Sequence, residues 1–157
     1  MIGRARDRIA RMLRRRPPAM QVAALCRDAR TGEVLLVTSR DTGRWILPKG
    51  WPMPGRSLAE AAGQEAWEEA GARGPIAQAE IGSYHYDKHQ DGGFVIPVQV
   101  KVYPLTVESL AEKYPEAKQR RRRWYPPTRA AELVAETGLK ELLRGLPARP
   151  TSPERPD

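Results

Sequence analysis

Glu65, Glu68 and Glu69 are the residues of this chain whose type and spacing are best suited to chemistry. On an α-helix, which advances about 100° per residue, they fall within a sector of roughly 100°, so their carboxylates project from one face. Three like charges gathered there repel one another. Water and salt can screen such a triplet on an exposed helix, and taken alone it reads as a solvated face. The segment ahead of it changes that reading, because Gly50 and Gly55 let the backbone turn tightly and offer carbonyl oxygens. Carboxylates and carbonyls are hard oxygen donors that suit Mg²⁺ or Mn²⁺ rather than zinc, and a divalent cation would relieve the repulsion.

A helix capped by Ser57, running to about Ala70 and stopped by Gly71, would carry these acids. Ahead of it, two apolar runs at residues 20–27 and 33–39 flank Asp28-Ala29-Arg30-Thr31-Gly32, the pattern of an antiparallel hairpin. A short strand at residues 44–47 leads into a Pro48-Lys49-Gly50-Trp51-Pro52 loop. Residues 79–86 and 94–107 read as extended, the second with Val98, Val100 and Val102 on one face and Gln99 and Lys101 on the other. Pro97 and Pro104 mark edges or bulges there. Arg123-Trp124-Tyr125 makes a last short strand, and Thr128 is placed to cap a helix whose Ala131, Leu133, Val134 and Leu139 face the core. Strands arrive in runs between only two substantial helices, so a layered mixture of α and β is favoured over a doubly wound parallel sheet.

With 157 residues and 40% hydrophobic content, the chain suits one domain. No run approaches the roughly 20 apolar residues of a membrane span, and no apolar leader core follows the basic N-terminus, so a soluble, cytoplasmic protein is expected. Cys26, the lone cysteine, lies in an apolar run and reads as a small buried residue in a reducing compartment. The net charge of +8 is uneven: residues 1–18 hold seven arginines against Asp7, and the rest is only mildly basic. Residues 2–16 place Ile2, Ala5, Ile9 and Leu13 on one helical face among those arginines, with Pro17 and Pro18 ending the segment. Lys118 and Arg120 to Arg123 form a second basic cluster, and the Pro-rich tail from Pro147 is expected to be disordered. These charges imply a polyanionic partner or substrate, a phosphorylated small molecule being expected before nucleic acid; the oligomeric state has no signature.

Residues 50–72, GWPMPGRSLAEAAGQEAWEEAGA, resemble a Nudix box. That pattern is glycine, five residues, glutamate, seven residues, then Arg-Glu-aliphatic-any-Glu-Glu-any-Gly-aliphatic. Gly50, Glu65, Glu68, Glu69 and Gly71 match in register, and Ala66 and Ala72 hold the aliphatic positions. Arg56 stands where the family has Glu, and Gln64 where it has Arg. The resemblance implies an α+β fold, an α/β/α sandwich with a mixed central sheet. It divides the chain into a basic N-terminal extension at 1–18, a Nudix hydrolase domain at 19–146 and a tail at 147–157. It further implies that Glu65, Glu68 and Glu69, with the Gly50 carbonyl, hold Mg²⁺ or Mn²⁺, and that Glu68 or Glu69 acts as the base. A downstream carboxylate such as Glu108, Glu112 or Glu116 stays open for that last role.

The approach through Leu36-Val37-Thr38-Ser39-Arg40 and Arg44-Trp45-Ile46-Leu47-Pro48 is similar to the diphosphoinositol polyphosphate phosphohydrolase branch, and most of residues 20–145 can be read onto it. That branch is also similar in its Lys-His pair, here Lys88-His89, and in a basic cluster before an aromatic, here Arg120 to Trp124, both of which would address phosphates. By chemistry alone Arg40, Lys49, Lys88 and Arg121 are phosphate-binding candidates, although any single one is more often a solvated surface charge. His85 and His89 read equally well as surface residues, and Trp45, Trp51 and Trp67 as packing residues before base-stacking ones. The function implied is Mg²⁺-dependent hydrolysis of a diphosphate linkage in a nucleoside diphosphate derivative, a dinucleoside polyphosphate or a diphosphoinositol polyphosphate. The alternative, motivated by Arg56 and Gln64, is a catalytically weak Nudix-like module that binds nucleotide or nucleic acid for regulation. A third reading makes the arginine-rich N-terminus an element that docks a membrane or a partner protein.

Overall fold

In the computed structural model, the described residues are 18–147, with Ala5 alone ahead of them. The helix expected over residues 2–16 and the tail beyond Pro147 therefore lie outside the described residues. The chain runs β1 (Ala19–Asp28), β2 (Val34–Thr38), β3 (Trp45–Ile46), β4 (Lys49–Gly50) and α1 (Leu58–Ala70). It continues through β5 (Ala72–Arg73), β6 (Gly82–His89), β7 (Val95–Val107), β8 (Ser109–Leu110), β9 (Arg122–Tyr125), α2 (Pro127–Leu133) and α3 (Thr137–Arg144).

Seven strands form one sheet in the order β3-β2-β1-β7-β6, with β4 added to β1 and β9 to β2. The sheet is mixed, because β1 and β7 run parallel from Ala19↔Val98 to Asp28↔Val107 while the other pairs are antiparallel. Strand alternation sorts the central side chains onto two faces. Val22, Ala24, Cys26, Leu35 and Val37 meet α1 through Ala59, Ala62, Ala66 and Ala70. Ala23, Leu25, Val34 and Leu36 meet α2 and α3 through Ala130, Ala131, Leu139 and Leu143. The result is the α/β/α sandwich, with each fully buried leucine contributing about 1.5–3 kcal/mol of transfer free energy. Among the described residues no helix is long and apolar enough to cross a membrane.

Several expectations change. The 95–107 strand is interior, not an edge, yet its prolines avoid the doubly paired stretch. Pro97 is in register only with Asp87 of β6, where the ladder has one flanking strand, and Pro104 is in register with Leu25 of β1 while on its other side only its carbonyl is used, accepting from the Ala77 amide. The C-terminal helix is two helices, because Val134 turns extended at ψ 155° and lets α3 lie against β6. Thr128 is not its cap; Pro127, whose missing N–H costs nothing in the first turn, opens α2 instead. Lys49–Gly50, read as loop, pairs with Val22 and Ala23 of β1. Elsewhere β6 starts at Gly82 rather than Ala79 and ends at His89.

Helix α1 forms where expected. Ser57 caps it by accepting from the Glu60 amide, and Gly71 ends it in the left-handed region at φ 64°. A Cβ at Gly71 would also press on the Tyr114 ring and approach Arg122 Nη1 to 2.9 Å. Gly71→Ala is therefore expected to cost about 1–3 kcal/mol, combining left-handed strain with displaced neighbours. A urea titration should show a lower midpoint at unchanged slope; an unaltered midpoint would contradict this account of the helix end.

Candidate active site

Four small residues, Ala59, Ala62, Ala66 and Ala70, form the buried stripe of α1 at helical spacing. Alanines let the helix backbone lie close to the sheet, which brings the carboxylates on the adjoining face within reach of β4. Glu69 is 5% exposed, and its Oε2 accepts from the Lys49 amide at 3.1 Å. The Glu65 carboxylate rests directly over Gly50, where a Cβ would collide with Oε1 and come within 2.9 Å of Oε2. Glycine at position 50 is thus required by close approach. Glu68 Oε1 accepts from Gln64 Nε2 at 3.0 Å.

These acids line a cavity of about 410 Å³ together with Arg40, Lys49, Gly50 and Lys88. Of the phosphate-binding candidates, three are thereby brought together with the carboxylates. The other two are not. His89 neighbours Lys88 on β6, and successive strand residues point to opposite faces, so it is exposed on the side away from Tyr86 and Lys88. Arg121 turns outward beside Trp45, 5.9 Å from the ring centre, while its amide donates to Thr38 Oγ1.

Arg120 occupies the inner position instead. Its side chain is 8% exposed; Nη2 bonds Glu69 Oε1 at 3.1 Å and lies 3.5 Å from Glu116 Oε1, and Nη1 donates to the Thr38 carbonyl at 3.0 Å. Its Nε is buried without a hydrogen-bond partner among the described residues. Glu116 also pairs with Arg40 at 3.2 Å and lines the cavity, whereas Glu108 and Glu112 are exposed away from it. Opposite the helix, Tyr86 donates to Gln21 Oε1 at 2.6 Å and lies beneath the Lys49 ammonium, 5.1 Å from the ring centre. Trp51, 45% exposed, stands at the rim. In the sequence Arg120 is one member of a basic cluster expected to address phosphates, and nothing local says which of its arginines turns inward; the Gln21–Tyr86 pair, 65 residues apart, has no local signature at all.

The donor set suits a hard divalent cation, since Glu65, Glu68, Glu69 and Glu116 line the cavity beside Gly50 with no histidine or cysteine in the lining. Among the described residues no three such side chains converge on one point; Glu69 is turned to Lys49 and Arg120, and Glu68 to Gln64. Each carboxylate has about four acceptor sites, so these bonds leave room for a cation. Burial foremost, and then the neighbouring charges of Glu69 and Glu68, push the Glu65 carboxyl up to about 7. Burial does the same at Glu69, also to about 7, against the pull of Arg120 and the Lys49 amide. Burial lowers the Lys49 ammonium below the ordinary lysine range, with Glu69 opposing. Cys26 is buried, and its thiol is pushed up to about 12 mainly by that burial, which leaves it a packing residue.

A NUDIX domain model matches residues 17–146. The chain is 32% identical to Nudix hydrolase 21, chloroplastic, of Arabidopsis thaliana, over 71% of this chain and 54% of that protein. It is 36% identical to human diphosphoinositol polyphosphate phosphohydrolase 3-alpha, over 67% of this chain and 62% of that protein. The chain thus spans between half and two thirds of the length of these relatives. The Escherichia coli dihydroneopterin triphosphate pyrophosphohydrolase has the same fold, with a TM-score of 0.63 at 14% identity over 80% of this chain and 92% of that one.

Two outcomes follow from the geometry. Gly50→Ala should displace the Glu65 carboxylate and lower catalytic turnover by on the order of 100-fold while the protein stays folded, as read by steady-state assay and circular dichroism. Full activity would show that Glu65 has no fixed place. The folded carboxyls at Glu65 and Glu69 hold protons that the unfolded chain releases near 4.5, so the native state binds more protons between pH 4.5 and about 7. Metal-free stability should therefore fall as pH rises through that window. Thermal melts in chelator check this, and a midpoint that rises across the window would contradict it.

Proposed function

The chain belongs to the Nudix family, and on that premise we propose that it is a divalent-cation-dependent pyrophosphohydrolase that cleaves a diphosphate linkage. The observation that carries this reading is one cavity in which the α1 carboxylates face Arg40, Lys49 and Lys88. A diphosphate needs its charge neutralised from several sides before a water can attack phosphorus, and this lining supplies cations opposite an acidic wall. Glu65, Glu68 and Glu69, with the Gly50 carbonyl, would hold Mg²⁺ or Mn²⁺. The bound cation would neutralise phosphate oxygens and lower the pKa of nearby water.

Glu68 takes the proton of the attacking water in this reading. One of its oxygens is held by Gln64, and Oε2 is left to act. Glu69 is the second candidate, but both of its oxygens already anchor other segments. Lys49, fixed over Tyr86, and Arg40 and Lys88 bind the phosphates. The substrate is a nucleoside diphosphate derivative, a dinucleoside polyphosphate or a diphosphoinositol polyphosphate, which share the anhydride that this lining addresses. The rival, a Nudix-like module that binds such a ligand without turnover, draws on the engagement of Glu69 by Arg120.

The test is a substrate panel of these three classes, assayed for released product with Mg²⁺, with Mn²⁺ and with chelator. Metal-dependent hydrolysis of at least one class is expected, with Glu68→Gln lowering kcat by about 10²–10⁴-fold. Binding of a panel member without turnover would establish the rival. Wild-type activity in both Glu68→Gln and Glu69→Gln would remove the helix acids from the mechanism.

A further inference from the structure

The two residues at which the chain departs from the Nudix box are bonded to each other. Arg56 Nη1 donates to Gln64 Oε1 at 3.1 Å, and Gln64 Nε2 donates to Glu68 Oε1 at 3.0 Å. Arginine offers only donors and an ionised carboxylate only acceptors, so an amide that bridges them has a single permitted orientation. Gln64 precedes Glu68 by one helical turn, and Arg56 comes from the loop that turns at Gly55, where φ is 75°. The loop is thereby linked to one oxygen of Glu68 through one side chain.

We propose that Gln64 is a positioning residue for Glu68, and that Arg56 acts by fixing which way the Gln64 amide points. The inference rests on Glu68 serving as cation ligand and proton acceptor, as set out above. A glutamine amide is ambiguous where an arginine guanidinium is not. An arginine at position 64 can only donate toward Glu68, whereas glutamine can present either its nitrogen or its oxygen. A glutamate at position 56 would draw the Gln64 nitrogen toward itself and turn the oxygen onto the Glu68 carboxylate, which would repel it. Arg56 has the opposite effect, occupying the oxygen and committing the nitrogen to Glu68. The two departures are therefore one coupled change: with Gln64 in place, position 56 has to donate.

The pair is on the surface side of the helix, with Arg56 exposed and Gln64 half-buried, so it contributes little to stability. Its effect should be read at Glu68. Mn²⁺ binding measured by electron paramagnetic resonance, together with steady-state kinetics on the most active panel substrate, tests this in the full chain. Gln64→Leu is expected to weaken Mn²⁺ binding by about 10- to 100-fold, the usual effect of removing a partner that orients a ligand. It should lower kcat while leaving KM and the melting temperature unmoved. Arg56→Ala should act in the same direction, Arg56→Lys should recover most of that loss, and Arg56→Ala should add nothing in a Gln64→Leu background. Arg56→Glu should be worse than Arg56→Ala, and adding Gln64→Arg to it should restore binding. Wild-type Mn²⁺ affinity in Gln64→Leu, or additive losses from Arg56→Ala and Gln64→Leu, would overturn the proposal. Glu68→Gln separates this from the functional reading: if it impairs binding and turnover while Gln64→Leu does not, only the positioning role falls. If Glu68→Gln matches wild type, the role of Glu68 as cation ligand and proton acceptor falls and takes the positioning role with it, while metal-dependent turnover on the panel still decides the functional reading.

Discussion

Glu69 presents its carboxylate to two partners far from it in sequence. The Lys49 amide donates to Oε2 and the Arg120 guanidinium bonds Oε1, each at 3.1 Å, with only 5% of the residue exposed. Taking a carboxylate out of water costs several kcal/mol, so it is tolerated in such a place only with charged and hydrogen-bonding partners. Those partners draw β4, α1 and the segment ahead of β9 around one point. Arg120 extends the connection to the Thr38 carbonyl at the end of β2 and to Glu116, and Glu116 brings in Arg40. Lys49, Arg120, Glu116 and Arg40, which all line the cavity, are thereby tied to this carboxylate directly or through one another.

The helix can supply that carboxylate only because its inner stripe is alanine. A stripe of leucines would bury more apolar area but hold the axis farther from the sheet, and Glu69 would then lose its reach to Lys49. The C-terminal carbonyls of α1 are satisfied by the same downstream segment: the Glu116 amide donates to Glu68, Arg122 to Ala70, and the Ala111 amide to Gly71. The acidic helix is thus held at its inner face by the sheet and at its end by residues 111–122. Cohesion and site share one set of contacts.

Features decided by neighbours in sequence were legible in it. The Ser57 cap, the Gly71 stop, the hairpin around Asp28 to Gly32 and the common face of Glu65, Glu68 and Glu69 all follow from local chemistry, and each is found. What was not legible depends on register. Arg120 and Arg121 are chemically identical, and only the pairing of β9 with β2, Val37 opposite Arg122, decides which of them turns to Glu69. Lys88 and His89 are separated by the same alternation on β6. A two-residue strand such as β4 has no periodicity to read, and Val134 breaks the last helix without a glycine or proline to announce it. Arg56 and Gln64 were visible as departures from a pattern, but their mutual bond needed the loop and the helix placed together.

On the proposed reading, the carboxylates of α1 form a divalent-cation site in a cavity that also grips phosphate. Diffraction from crystals grown with Mn²⁺, collected at the manganese absorption edge, tests it directly. An anomalous peak is expected among Glu65, Glu68 and Glu69, beside the Gly50 carbonyl. Manganese bound elsewhere, or not at all, with Glu69 still held only by Lys49 and Arg120, would contradict it.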